Sequence, residues 1–216
     1  MDTQEEYFEI DEIDNLIDNL EMTAHFLESH FSYKWKWAII ALYQAFYGAL
    51  ISTLSGSDPR QTVIDRQRDS GKAVMLHVNR IPFDIIASSF GKNEETIRDW
   101  ISNPYLISIE EALRRVKKKE YLHYSDAKPL VTSADEEDDI RMLVKEFRNE
   151  FVHFSPKGWV VFTPPLRRIL SSILRIVYFL EFESNCVSMS ERQEQDIKNA
   201  HKKVANLLSK GENNKI

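Results

Sequence analysis

The run Lys145-Glu146-Phe147-Arg148-Asn149-Glu150-Phe151-Val152-His153-Phe154 decides how the remainder of the chain is read. Phe147, Phe151 and Phe154 recur at helical spacing, so this stripe should face a core. The residues between them are of another kind. Side chains four apart on a helix are neighbours, which puts Asn149 and His153 on one face. Arg148 lies off that line, but its long side chain can reach back towards the imidazole. A guanidinium offers a planar fork for phosphate oxygens. An imidazole moves protons near neutral pH. An amide can hold the ring or a phosphate oxygen. With six His in the chain, Arg and His at this spacing also arise by chance, and Asn beside the Arg narrows the match. The competing reading is structural, a His⁺ resting on the dipole at a helix C-terminus.

Working outward, the apolar spacing predicts a mostly helical chain. Ile10, Ile13, Ile17, Leu20, Ala24 and Leu27 form one stripe over 5–29, with an acidic opposite face. Residues 33–54 are apolar nearly all round, from Trp35 to Leu50, as expected of a helix in the middle of a bundle. Ser108-Ile109-Glu110-Glu111 and Ser133-Ala134-Asp135-Glu136 have capping-box spacing. They predict helices from about 109 to 120 and from 134 to 154, with the acids Asp135 to Asp139 in the first turn of the second. Thr163-Pro164 predicts an N-cap with Pro at the first helical position, opening a helix to about 183. A last helix should start between Ser188 and Glu191 and end near Ser209. The segment 57–104 is the least legible. Within it, Ile86-Ala87, Gly91, Ile97 and Trp100 match helix-turn-helix spacing over 82–101. Glu94, Glu95 and Asp99 on the second helix of that hairpin would repel phosphate, which favours a structural hairpin over DNA binding.

Composition sets the outer limits. At 216 residues the chain can bury a full core without metals or disulfides, as a single domain, 1–216, with a helical insert over 57–132. The lone Cys186 excludes an intrachain disulfide and fits a reducing, cytoplasmic setting. The first thirty residues are acidic where a secretion signal would be basic and apolar. The run from Trp37 to Ile51 is interrupted by Gln44 and is read as a buried core helix, so no membrane role is expected. No phosphate-binding Gly loop, His-Glu-x-x-His or paired Cys is present, and neither cofactor nor metal is expected. A net charge of −6 argues against general affinity for nucleic acid. Cations are nevertheless grouped: Arg114, Arg115 and Lys117 to Lys119, expected to pair with acidic surface, and Lys145, Lys157, Arg167 and Arg168 around the central motif.

Arg148-Asn149-x-x-x-His153, on the third long helix of a helical chain, resembles the signature of the HEPN superfamily. The flanking His153-Phe154-x-Pro156-x-Gly158-Trp159 and the run Lys36 to Ala45 are similar to segments of bacterial HEPN-like proteins, so the resemblance covers about 1–55 and 105–185. It implies an all-α, up-down four-helix bundle carrying the insert and an extra C-terminal helix. It implies a metal-independent endoribonuclease, of the kind found as toxins or in antiviral defence, leaving 2′,3′-cyclic phosphate and 5′-hydroxyl ends. His153 would move the proton, Arg148 would stabilise the anionic phosphorus centre, and Asn149 would orient one or the other. Lys145, Lys157, Arg167 and Arg168 would contact RNA phosphates. One motif supplies one proton-transferring group, whereas in-line cleavage uses an acid and a base. A homodimer sharing one cleft lined by 145–168 is therefore expected, as is built by members of the family. Some toxins of the family carry Tyr two residues after the His, where a partner antitoxin modifies it. Here that position is Ser155, so an antitoxin or defence partner would act by another route. The rivals are a non-catalytic nucleotide-binding or protein-interaction module, and DNA binding through 82–101.

Overall fold

The structure, a computed structural model, describes residues 11–55, 106–152 and 162–210. The hairpin expected at 82–101, most of the proposed insert, His153, Phe154 and Lys157 lie outside the described residues. Among the described residues there are six helices and no strand: α1 (Glu12–Glu28), α2 (Lys34–Ser55), α3 (Ile109–Val116), α4 (134–152), α5 (164–183) and α6 (Glu191–Ser209). The all-α expectation holds.

Helix boundaries follow local chemistry. Asp11, Ser108, Ser133 and Ser190 each accept a hydrogen bond from a backbone N–H of the first turn. At Ser133 and Ser190 the reciprocal bond completes a capping box. At Ser108 it does not form, because Glu111 turns to the guanidinium groups of Arg114 and Arg115. Helix α3 stops at Val116, short of the expected 120, since Lys118 is extended and only a 3-10 turn, Lys119–Tyr121, follows. Thr163 precedes Pro164 and Pro165 but caps nothing with its side chain. Those two residues have no N–H to offer, and the Leu166 N–H goes to the Thr163 carbonyl at 3.0 Å. Asn185, at φ 60°, ends α5 in the left-handed conformation that Asn tolerates better than most residues.

Two helices are not α throughout. In α4 the stretch Met142–Phe147 is π-helical, and Arg148 N–H bonds the Leu143 carbonyl five residues back. In α5 the stretch Phe179–Glu183 is π-helical, closed by Ser184 N–H on Phe179 O at 2.8 Å. Such wide turns are uncommon and recur at functional sites.

Helix α2 is the axis of the bundle. It packs against α1, α3, α4 and α5, while α6 closes the other side of α1 and α5. Phe46, Ile39, Leu42, Leu50 and Leu54 of α2 are fully buried, as are Leu16, Leu143 and Leu166 around them. By length and composition α2 could cross a membrane, but 67% of its most apolar window is buried in protein. Contacts fix the directions. Glu136 and Asp139 of α4 meet Arg175 and Arg168 of α5, so these helices run antiparallel. The start of α1 meets the start of α6 through Asp14 and Arg192 at 3.1 Å. Residues 106–132 belong to this core as well, through Ile107, Ala112, Val116, Ala127 and Leu130, and Tyr47 donates a hydrogen bond to the Ile107 carbonyl.

Candidate functional site

The last turn of α4 carries Arg148 and Asn149. Phe147 and Phe151 anchor it from within: their rings stack at 6.2 Å, with Phe147 buried and Phe151 half-buried. That anchoring leaves Arg148 half-buried and Asn149 exposed. Arg148 Nη1 donates to Asn149 Oδ1 at 3.0 Å. The same guanidinium lies 5.6 Å from the centre of the Tyr43 ring on α2. Burial pushes the Tyr43 hydroxyl above its ordinary pKa, against the pull of the Arg148 charge, so the ring under the cation is a neutral phenol. Arg148 is thus positioned by an aromatic floor and an amide wall. The π-turn ends where Arg148 begins, so a wide turn sets the rotational phase at which the pair emerges.

The structure brings the other nominated cations to different tasks. Arg167, at the start of α5, donates from Nη1 to the carbonyls of Leu207 and Leu208, both at 3.0 Å. Its guanidinium stands 5.1 Å from the Trp35 ring centre. Arg167 therefore ties together the ends of α2, α5 and α6, with a cation on the carbonyl end of α6 where the dipole favours it. Arg168 lies 2.8 Å from Asp139 Oδ1, and Ser172 donates to Asp139 Oδ2 at 2.6 Å. The approach of Arg168 is an ion pair without the alignment of a hydrogen bond. Asp139 is buried, so it is a partner for α5 and not one of the first-turn acids, as its sequence position suggested. Arg168 nevertheless keeps 58% of its side chain in solvent. Lys145 is exposed and borders a groove between α3 and α4 that also holds Glu110, Glu137 and Asp138. The basic cluster at the end of α3 and just beyond it is engaged locally. Arg114 and Arg115 hold Glu111 down to about pKa 2, Lys117 pairs with Glu137, and Lys119 donates to the carbonyls of Tyr124, Ser125 and Ala127.

Sequence reasoning missed three residues. Tyr43 reads as one more apolar residue of α2, yet it carries Arg148. Asp139 reads as a dipole acid. Glu181 sits on the apolar stripe of α5 with both carboxyl oxygens buried and unpartnered. Its signal was visible: a lone acid four residues after Val177 on the inward face. A second concavity, a groove of about 310 Å³ between α5 and α6, is lined by Arg167, Arg175, Tyr178 and His201 among others. His201 shares its Nε2 with the Leu174 carbonyl at 3.2 Å, and burial pushes its pKa down. No group of three or more His, Cys, Asp or Glu placed to hold a metal ion occurs among the described residues.

Fold and site together define an all-α bundle that presents a prearranged Arg–Asn pair at the end of one helix. Comparison with protein-family models, with curated proteins and with solved structures returned no match.

Proposed function

We propose that this chain is a metal-independent endoribonuclease of HEPN type, with an up-down helical bundle as its scaffold. The observation that carries the reading is the 3.0 Å contact of Arg148 with Asn149 over Tyr43, one turn before His153 in sequence. An exposed amide that shares a guanidinium, four residues from an imidazole, is a set suited to a phosphodiester. In the reaction, His153 takes the proton of a ribose 2′-hydroxyl. The 2′-oxygen bonds to phosphorus, and the bond from phosphorus to the 5′-oxygen breaks. The leaving oxygen receives its proton from His153 of a second copy, giving a 2′,3′-cyclic phosphate and a 5′-hydroxyl. Arg148 stabilises the negative charge that builds on the non-bridging oxygens. Asn149 keeps the guanidinium and the imidazole in register. Lys145, Lys157, Arg167 and Arg168 form the outer rim, where Arg167 and Arg168 also hold the bundle. The second copy makes the active unit a homodimer about a two-fold axis.

The test is cleavage of a mixed RNA in excess chelator by the wild type, Arg148→Ala and His153→Ala. Both variants should lose cleavage while their circular dichroism stays helical. Cleavage unchanged in both would remove the proposal. A second reading, a non-catalytic nucleotide-binding module, draws on the groove between α5 and α6, whose two Arg, Tyr178 and His201 suit a phosphate and a base. Saturable nucleotide binding sensitive to Arg175→Ala, with no RNA cleavage, would favour it.

A further inference from the structure

The turn between α1 and α2 and the start of α2 read His30-Phe31-Ser32-Tyr33-Lys34-Trp35-Lys36-Trp37. Aromatic rings and cations alternate here, and no Asp or Glu occurs from Ser29 to Ser55. The rings that face outward are large: Phe31 is 51% exposed, Tyr33 66% and Trp37 40%. Phe31 meets Tyr33 edge-on at 5.6 Å, and Trp37, one helical turn on from Tyr33, stacks on Phe26 at 6.0 Å. Lys36 Nζ stands 5.0 Å from the Trp37 ring centre, and Lys34 donates to the Leu27 carbonyl at 3.3 Å. The neighbouring acid on α1, Glu28, is occupied by Lys203 at 2.8 Å. Burial of these rings against the bundle would have stabilised the fold. Their exposure as a group, among cations, is the mark of a surface kept for a partner.

The surface adjoins the candidate site. Trp35 lies under Arg167, and Tyr43, the floor beneath Arg148, is about two helical turns further along α2. Lys36 and Tyr43 are seven residues apart and hence on one face of α2. Lys36 therefore stands on the face of α2 that leads towards the Arg148–Asn149 pair.

We propose that Phe31, Tyr33 and Trp37 form a stacking platform for the unpaired bases of single-stranded RNA, with Lys34 and Lys36 on its phosphates, feeding the strand to the Arg148–Asn149 pair. Bases stack on exposed rings whatever their sequence, while a track of cations follows the backbone. Charge selects this occupant over a second copy, since two such faces pressed together would oppose Lys to Lys. Continuity with Arg148 selects it over a lipid surface. The inference rests on the ribonuclease reading for its choice of RNA.

The experiment uses the full chain with His153→Ala as parent, to hold the strand intact, and a fluorescein-labelled twelve-nucleotide single-stranded RNA as probe. Anisotropy reads the Kd. Adding Phe31→Ala, Tyr33→Ala and Trp37→Ala should weaken binding about ten-fold or more. Phe31→Tyr, Tyr33→Phe and Trp37→Phe, which keep the rings and the fold, should restore it. Equal affinity of the Ala variant and the parent overturns the platform, as does a parent that binds no RNA. Two further arms also overturn it: ring-dependent sedimentation with phosphatidylserine vesicles without RNA binding, and ring-dependent loss of a dimer in light scattering. The catalytic reading fails separately. Wild-type protein that never cleaves RNA, with ring-dependent binding intact, removes the nuclease and leaves the platform. Wild-type protein that cleaves, with ring-independent binding, does the reverse.

Discussion

Arg148 is held by the Asn149 amide on one side and the Tyr43 ring on the other. Both restraints depend on its planar, delocalised head, which a Lys lacks. Arg148→Lys keeps the charge and should still lower the cleavage rate about 100-fold or more, the scale of losing an aimed donor at a developing anion. A rate within a few-fold of wild type would mean that charge alone suffices. Glu181 makes a second prediction at this scale. Its carboxyl is buried without a hydrogen bond, and burial pushes its pKa from 4.5 up to about 8. A raised acid is neutral in both states at low pH. As pH rises from about 4.5 the unfolded chain ionises and the folded one does not, so this position lowers stability progressively until pH reaches about 8. Glu181→Gln should therefore stabilise the chain by up to about 3 kcal/mol at pH 7 and by almost nothing at pH 4. An equal gain at both values, measured by chemical denaturation, would contradict this origin.

At the level of elements, the caps and stripes of the sequence were sufficient for most boundaries. Ser133 announces its helix, and Ser190 caps in the same way, because a hydroxyl and the Glu or Gln side chain three residues later satisfy two backbone donors between them. Ser133→Ala should lower stability by about 1 kcal/mol, measured by urea denaturation, with the loss confined to folding and RNA cleavage unchanged at low temperature. The π-turns were not legible. A wide turn forms where tertiary packing favours an extra residue in the turn, and no side-chain preference in Met142–Phe147 marks it. Asp139 was misread for a related reason: a string of acids gives no sign of which one turns inward, and only the facing Arg168 and Ser172 reveal it. Arg168→Ala strips the buried Asp139 of its counter-charge and should cost about 1–3 kcal/mol. Asp139→Asn in the same background should recover part of that loss, because the amide carries no charge to compensate.

For the whole molecule, the ends of α1, α4 and α6 gather with the starts of α2 and α5, and the Arg148–Asn149 pair sits on that end of the bundle. The apolar α2 was readable from composition as the central helix. The site was readable in part, since Arg148 and Asn149 were marked by spacing, while Tyr43 needed the packing of α4 on α2. Two copies meeting across the last turns of their α4 helices would bring two Arg148 and two His153 around one phosphate, so the active species should be a dimer by light scattering at micromolar concentration. A fully active monomer would contradict the shared cleft. Attack by the 2′-oxygen is tested by end analysis of a labelled RNA carrying one 2′-deoxy nucleotide, incubated with the wild type in chelator. The wild type should leave 2′,3′-cyclic phosphate ends at ribose positions and none after the 2′-deoxy position. Cleavage at that position, or products ending in a 3′-hydroxyl, would show that the 2′-oxygen is not the nucleophile and that the Arg148–Asn149–His153 chemistry is wrong.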